Sequence, residues 1–197
     1  MNTPIELCRL SKAYGEKVLF SELSFSFPPN GLVALCGPSG SGKTTLLRIL
    51  AGLEQADGGQ VLGMEEKSVS MAFQQPRLLP RQTALSNLLA VLQGKEQPPA
   101  AQRHAREMLK LFYSAELAQK RTEQLSGGEQ QRVSLARAFA VKSDVVLLDE
   151  PTASMDATLS ERVTEQICAF AKQRLVILAS HSAAQLAAAD AKIVLGE

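Results

Sequence analysis

Only three cysteines occur in 197 residues, Cys8, Cys36 and Cys168, far apart and odd in number. That excludes a disulfide framework and a Cys-x-x-Cys metal site, and leaves three small apolar residues, expected to be buried, in a reducing compartment. A surplus of charge of one sign is missing as well: 21 Lys and Arg against 20 Asp and Glu leave a formal net charge of +1. Neither nucleic acid nor an anionic membrane finds a broad electrostatic footprint, so any anionic ligand must be held locally. Long apolar runs are also absent. The longest clean stretch near the C-terminus is Leu175 to Ala179, far short of the roughly 18 consecutive apolar residues that cross a bilayer. Asn2 to Glu6 is polar and acidic, without the basic start and apolar run of a signal peptide, so a cytosolic chain with no direct membrane insertion is expected.

With 45% hydrophobic and 21% charged residues, the chain is long enough to bury roughly 70% of its unfolded surface in one core. From Ile5 to Phe27 the pattern is short and alternating, Leu23, Phe25 and Phe27 against Glu22, Ser24 and Ser26, which predicts an antiparallel strand pair with one wet face. Leu32 to Cys36 reads as a strand buried on both faces, followed by a Gly-rich loop and a helix over Lys43 to Leu53. Asp57-Gly58-Gly59 reads as a turn, Gln60 to Leu62 and Ser68 to Phe73 as strands. Beyond Pro76 the spacing becomes helical, over Thr83 to Leu92, Ala101 to Tyr113 and Ala115 to Arg121, with breaks at Gly94 and Pro98-Pro99. Strands over Asp144 to Leu148, Leu175 to Ala179 and Lys192 to Leu195 then alternate with helices over Gly128 to Ala140, Ala157 to Lys172 and Ser182 to Ala188. The expected fold is α/β, a mainly parallel sheet covered on both faces, with an N-terminal antiparallel β subdomain and an inserted helical one.

Gly37-Pro38-Ser39-Gly40-Ser41-Gly42-Lys43-Thr44 matches G-x-x-x-x-G-K-[ST] between a buried strand and a helix. Such a loop turns successive backbone N–H groups onto phosphate oxygens, with Lys43 reaching the β- and γ-phosphates and the Thr44 hydroxyl offered to Mg²⁺. Val145 to Leu148 ends in Asp149 and Glu150, two carboxylates at the strand end where open α/β sheets bind ligands. Asp149 suits the Mg²⁺ shell; Glu150, on the other side of an extended chain, suits a water to be oriented or deprotonated. Ser126-Gly127-Gly128 opens a second helix N-terminus able to hold an anion, although one phosphate group needs one cradle.

Leu125-Ser126-Gly127-Gly128-Glu129-Gln130-Gln131-Arg132 resembles the signature motif of the ATP-binding cassette (ABC) ATPases, and the other motifs fall in that family's order from Leu10 to about Val194. The resemblance implies a P-loop NTPase core over 1–75 and 123–197, with a helical subdomain over 76–122, all in one 1–197 domain. It implies ATP and Mg²⁺, with Tyr14 stacking on adenine, Thr45 beside the P-loop Thr44, Gln74 contacting Mg²⁺ and water, Asp156 in the D-loop and His181 facing the γ-phosphate. From the residues alone, Tyr14 also suits a strand-end core aromatic, Gln74 a strand cap, Asp156 a helix N-cap and His181 a satisfied loop histidine. His104, among Gln102, Arg103 and Arg106, reads as part of a solvated face. The family pairs two cassettes head to tail, so the surplus anion site would face a partner's ATP.

The departures from the family are a short stretch from Gly63 to Phe73, an Arg at 81 where importers often carry Trp, and Met155 where a small residue or Leu is usual. They imply a trimmed antiparallel subdomain and leave the catalytic positions intact, and the C-terminal regulatory domain of some importers is absent from the 197 residues. The expected function is the energy-coupling ATPase of a transporter, dimerising on ATP and working at the inner face of the cell membrane through separate permease subunits. Two alternatives stay open: a soluble ABC-type ATPase, against which the 80 residues between Thr44 and Leu125 show no sustained heptads, and an ATP-switched interaction module, against which Glu150 and His181 speak.

Overall fold

A computed structural model describes residues 4–196; Met1 to Thr3, with the first two residues of the polar start, and Glu197 lie outside the described residues. Strands Glu6–Tyr14 (β1) and Lys17–Ser26 (β2) pair antiparallel, and Gly58–Leu62 (β4) joins the other edge of β1, giving the order β2-β1-β4. Gly58 and Gly59, expected in a turn, belong to β4. The reason lies almost fifty residues upstream, where Arg9 takes φ 47° and the β1–β4 register shifts between Cys8 and Ser11. A Cβ on Gly59 would come within 2.2 Å of the Arg9 carbonyl oxygen, so glycine is what lets the partner strand close on this bulge.

The second sheet holds Gly31–Cys36 (β3), Val69–Ala72 (β5), Val145–Asp149 (β6), Leu175–Ala179 (β7) and Ala191–Val194 (β8) in the order β5-β6-β7-β3-β8, every pair parallel. Alternation sorts its residues onto two cores. Leu32, Ala34, Val146, Leu148, Val176 and Leu178 pack under helices Ala84–Leu92 (α2), Pro98–Leu111 (α3), Gly127–Ala140 (α4) and Ala157–Ala171 (α5). Val33, Leu35, Val145, Leu147, Leu175 and Ile177 pack instead against Lys43–Leu50 (α1) and the antiparallel sheet. Both faces are covered, which is why β6 and β7 are buried at every residue. A short helix, Ala183–Ala188 (α6), leads into β8.

Phe112, just beyond α3, stacks 5.2 Å from Phe139 of α4, which lies 4.6 Å from Phe170 of α5, so three helices share one aromatic joint. Pro98 and Pro99, expected as a break, are instead the first turn of α3, where a missing N–H costs nothing. Ala115 to Arg121 is not an α-helix; two single-turn 3-10 helices, Ala115–Leu117 and Thr122–Gln124, carry the chain to α4. The three cysteines are free, as expected, but each is only partly buried. His104 is not solvated: its Nδ1 lies 2.8 Å from Glu96 Oε1, with about a fifth of the side chain exposed.

Candidate active site

Four adjacent parallel strands end at the same edge, and each delivers polar residues there: β5 leads to Gln74, β6 ends in Asp149 with Glu150 next, β7 precedes His181, and β3 runs into Gly37–Thr44. The crossovers of a parallel sheet leave this carboxyl edge open. A cleft of about 450 Å³ lies along it, lined by Ser39, Gly40, Gly42, Lys43, Thr44, Thr45, Gln74, Asp149, Glu150 and His181, with Tyr14, Lys17 and Leu19 from the antiparallel sheet. Gly37, Pro38 and Ser41 shape the loop from behind rather than lining the cleft.

The loop wraps so tightly that a Cβ on Gly37 would lie 2.2 Å from the Leu195 carbonyl oxygen and 2.8 Å from Ser41 Oγ. Gly42, at φ 100°, is the N-cap of α1; it offers no side-chain oxygen, and no acid stands in the first turn. The helix therefore keeps its positive end bare for an anion. The Lys43 ammonium, largely buried, donates to the carbonyls of Gly37 at 2.8 Å and Pro38 at 3.0 Å. Ser41 Oγ is buried with no hydrogen-bond partner. A bare helix end and a buried cation together fit a polyphosphate.

Thr44 Oγ1 donates to Asp149 Oδ1 at 3.0 Å. Burial pushes the Asp149 carboxyl above its ordinary range, against the Thr44 bond and the charges of Arg48 and Lys43. No group of three or more His, Cys, Asp or Glu gathers for a metal among the described residues. One carboxylate and one hydroxyl fit Mg²⁺ in particular, which fills its remaining positions with water and phosphate oxygens.

The structure corrects one expectation about this pair. Glu150 does not point away from Asp149 along an extended strand: β6 ends at Asp149, Glu150 takes φ 49°, and both carboxylates line one cleft. A left-handed glutamate is held at a cost of about 1–3 kcal/mol by its surroundings, here by its N–H donating to the Ala179 carbonyl at 2.9 Å. Glu150 Oε1 lies 3.5 Å from His181 Nε2. Burial raises the Glu150 carboxyl, with the charges of His181 and Lys43 and the His181 backbone N–H acting the other way.

Ser126, Gly127, Gly128 and Asp156 do not line the cleft. Ser126 Oγ accepts from the Glu129 N–H while Glu129 Oε2 accepts from the Ser126 N–H at 2.8 Å, a capping box that also lowers the Glu129 carboxyl. Gln130 Nε2 donates to the Leu125 carbonyl at 3.0 Å and Arg132 Nε to the Tyr113 carbonyl at 3.0 Å. Local structure thus accounts for Glu129, Gln130 and Arg132, the part of the motif beyond the three residues expected to hold an anion. A Cβ on Gly128 would sit 2.6 Å from the Ser154 carbonyl oxygen, so the start of α4 rests on the loop before α5. Asp156 Oδ1 caps α5 by accepting from the Leu159 N–H at 2.9 Å.

Sequence reasoning missed Lys17, paired opposite Tyr14 across the hairpin and close enough over the P-loop that a Cβ on Gly40 would lie 3.0 Å from its Nζ. The signal was present, since a two-residue turn after an aromatic sets the next cation beside it.

A family model described as ABC transporter matches residues 20–153. Among curated proteins the chain is similar to the sulfate/thiosulfate import ATP-binding protein CysA of Burkholderia mallei, 42% identical over 81% of this chain and 49% of that one. The protein of the same name from Escherichia coli is 39% identical over 81% of this chain and 47% of that one. The chain spans about half the length of the curated relatives it matches. Among solved structures, a dimeric post-hydrolysis state of the ATP-binding cassette MJ0796 bound to ADP and Pi aligns with a TM-score of 0.88 at 26% identity, over 97% of this chain and 94% of that one.

Proposed function

Because the chain belongs to the ABC transporter family, we propose that it is the ATP-hydrolysing subunit of a transporter, pairing with a second cassette and powering solute import through a separate membrane permease. The observation that carries this is the split of the motifs: the P-loop, Asp149, Glu150 and His181 share one cleft, whereas Ser126, Gly127 and Gly128 open a helix outside it. A single chain then owns half of two sites. Import follows the names of the relatives, and the permease sets the solute. No helix among the described residues is long and apolar enough to cross a membrane; attachment to the inner face of the cell membrane through the permease is part of the proposal. In this reading 76–122 is the helical subdomain, and 1–75 with 123–197 the core.

ATP is the substrate. The N–H groups at the start of α1 and the Lys43 ammonium hold its phosphates. Thr44 and Asp149, with Gln74 at the rim, would hold Mg²⁺, whose chemistry is to neutralise phosphate charge. Glu150 orients a water and takes its proton as the water oxygen bonds to the γ-phosphorus, while the bond to the β–γ bridging oxygen breaks and ADP leaves with its electron pair. His181 donates to a γ-phosphate oxygen and at the same time steadies Glu150.

Complementation tests the split. Lys43→Ala should inactivate the P-loop half of both sites in a homodimer, and Ser126→Arg the signature half, so each variant alone should be nearly inactive. Mixed in equal amounts, they form dimers in which one site has both lesions and the other neither, and turnover should recover to about a quarter of wild type by random pairing of a two-fold assembly. Full ATPase activity of Ser126→Arg alone would overturn the composite site.

A further inference from the structure

Tyr14 is half exposed, at 51%, yet its ring is held from two sides. Its phenol donates to Glu54 Oε1, and the Lys12 ammonium lies 5.2 Å from the ring centroid, over one face. Lys12 is itself pinned, 3.5 Å from Glu54 Oε1, 3.1 Å from Asp57 Oδ1 and 2.9 Å from the Gln55 carbonyl oxygen. The Lys12 and Glu54 side chains are only 11% and 17% exposed, so this is no loose surface pair. Tyr14 lines the cleft and Lys12 does not.

We propose that Glu54 is a positioning residue for the nucleotide base: it fixes the Tyr14 phenol, with Lys12 backing the ring, so that the open face is presented to the cleft before ATP arrives. This rests on Tyr14 being the base platform. An exposed aromatic side chain left to rotate must be ordered when the base binds, and a brace removes that cost from binding. Lys12 adds to it, because a cation on one face of the ring blocks the wrong side and stiffens the pair. The brace also joins two parts of the chain, since Tyr14 closes β1 whereas Glu54 lies just beyond α1. Asp57, which accepts from the Ala13 N–H at 2.8 Å, keeps that junction closed when Glu54 is changed, so Glu54 variants should fold.

The test measures binding of ATP and of inorganic tripolyphosphate, which has no base, to purified full-length chain. Tyr14→Ala should weaken ATP about 5- to 150-fold, as loss of a stacked base does, and leave tripolyphosphate unchanged. Glu54→Ala should weaken ATP about 2- to 10-fold, the scale of one hydrogen bond, again without touching tripolyphosphate. Tyr14→Phe should match Glu54→Ala, and adding Glu54→Ala to Tyr14→Phe should change nothing further. Glu54→Gln, whose amide oxygen can still accept from the phenol, should recover most of the loss. Equal weakening of ATP and tripolyphosphate by Glu54→Ala would overturn the proposal, because Glu54 would then act on the P-loop through α1. So would a Glu54→Ala effect that persists undiminished in the Tyr14→Phe background. If Tyr14→Ala bound ATP normally, the base platform itself would fall and the brace with it; a normal Glu54→Ala beside a weakened Tyr14→Ala would overturn the brace alone.

Discussion

Glu150→Gln should bind ATP as tightly as wild type and turn it over about 10²- to 10⁴-fold more slowly, the range a positioned general base supplies. The amide has the volume of the carboxyl and can still hydrogen-bond a water, but it cannot take the proton. ATP would then stay bound across two chains, and a dimer that persists with ATP should appear on a sizing column. Normal turnover would remove Glu150 as the base and make His181, 3.5 Å away, the next residue to test. The fold should survive the change. Burial raises the Glu150 carboxyl, so the native state binds more protons than the unfolded one between the ordinary glutamate range and the raised value. Its contribution to stability therefore falls as pH rises through that window and stays lost above it. Gln carries no charge to desolvate, so at neutral pH the variant should melt no lower than wild type. The same shift fixes a pH dependence for the wild-type enzyme: the acid limb of turnover should lie above the ordinary glutamate range, and the limb should vanish in the variant.

Lys43→Ala should weaken ATP binding by about ten- to more than a hundredfold, the worth of a charge-assisted bond of about 1.5–3 kcal/mol, and calorimetric titration reads it directly. Lys43 is only 7% exposed and its ammonium donates to two loop carbonyls. It also lowers both cleft carboxyls by its charge. Its removal thus does two things at once: the phosphates lose their cation, and Asp149 and Glu150 lose a neighbour that favours their charged forms. Wild-type affinity in this variant would sink the phosphate site. ATP and tripolyphosphate should suffer alike, unlike in the Tyr14 and Glu54 variants.

The parallel sheet was readable because its code is local: a buried strand is a run such as Val145 to Leu148, and its length and flanking turns separate it from a helix. The P-loop and the acid pair were readable for the same reason, each beginning within two residues of a strand end, whereas Gln74 and His181 came with the family resemblance and not with the local pattern. Features set by distant partners were not. Nothing near Gly59 announces that it must fit a bulge at Arg9, and nothing near Glu54 announces the Tyr14 phenol, forty residues earlier. The left-handed backbone of Glu150 was hidden because no residue type marks it; tertiary contacts impose it on a residue that does not prefer it. The Ser126-x-x-Glu129 box was in plain view, and its local meaning was obscured by the attention the motif draws as a ligand group.

Helix α1 has one consequence for how this family of sequences can drift in length. Its first residue, Lys43, meets the phosphates in the functional reading, and the chain leaving its last turn reaches Glu54, which accepts from the phenol of Tyr14, the proposed base platform. The helix is therefore a gauge between the two ends of the nucleotide. One inserted or deleted residue within it would move everything beyond by about 1.5 Å along the axis and turn it by about 100°, pulling Glu54 out of register with Tyr14 while leaving the P-loop intact. Side chains on its faces can be exchanged under the usual packing rules, but Lys43 to Leu50 should be a stretch that tolerates spelling changes and no change in the count of letters.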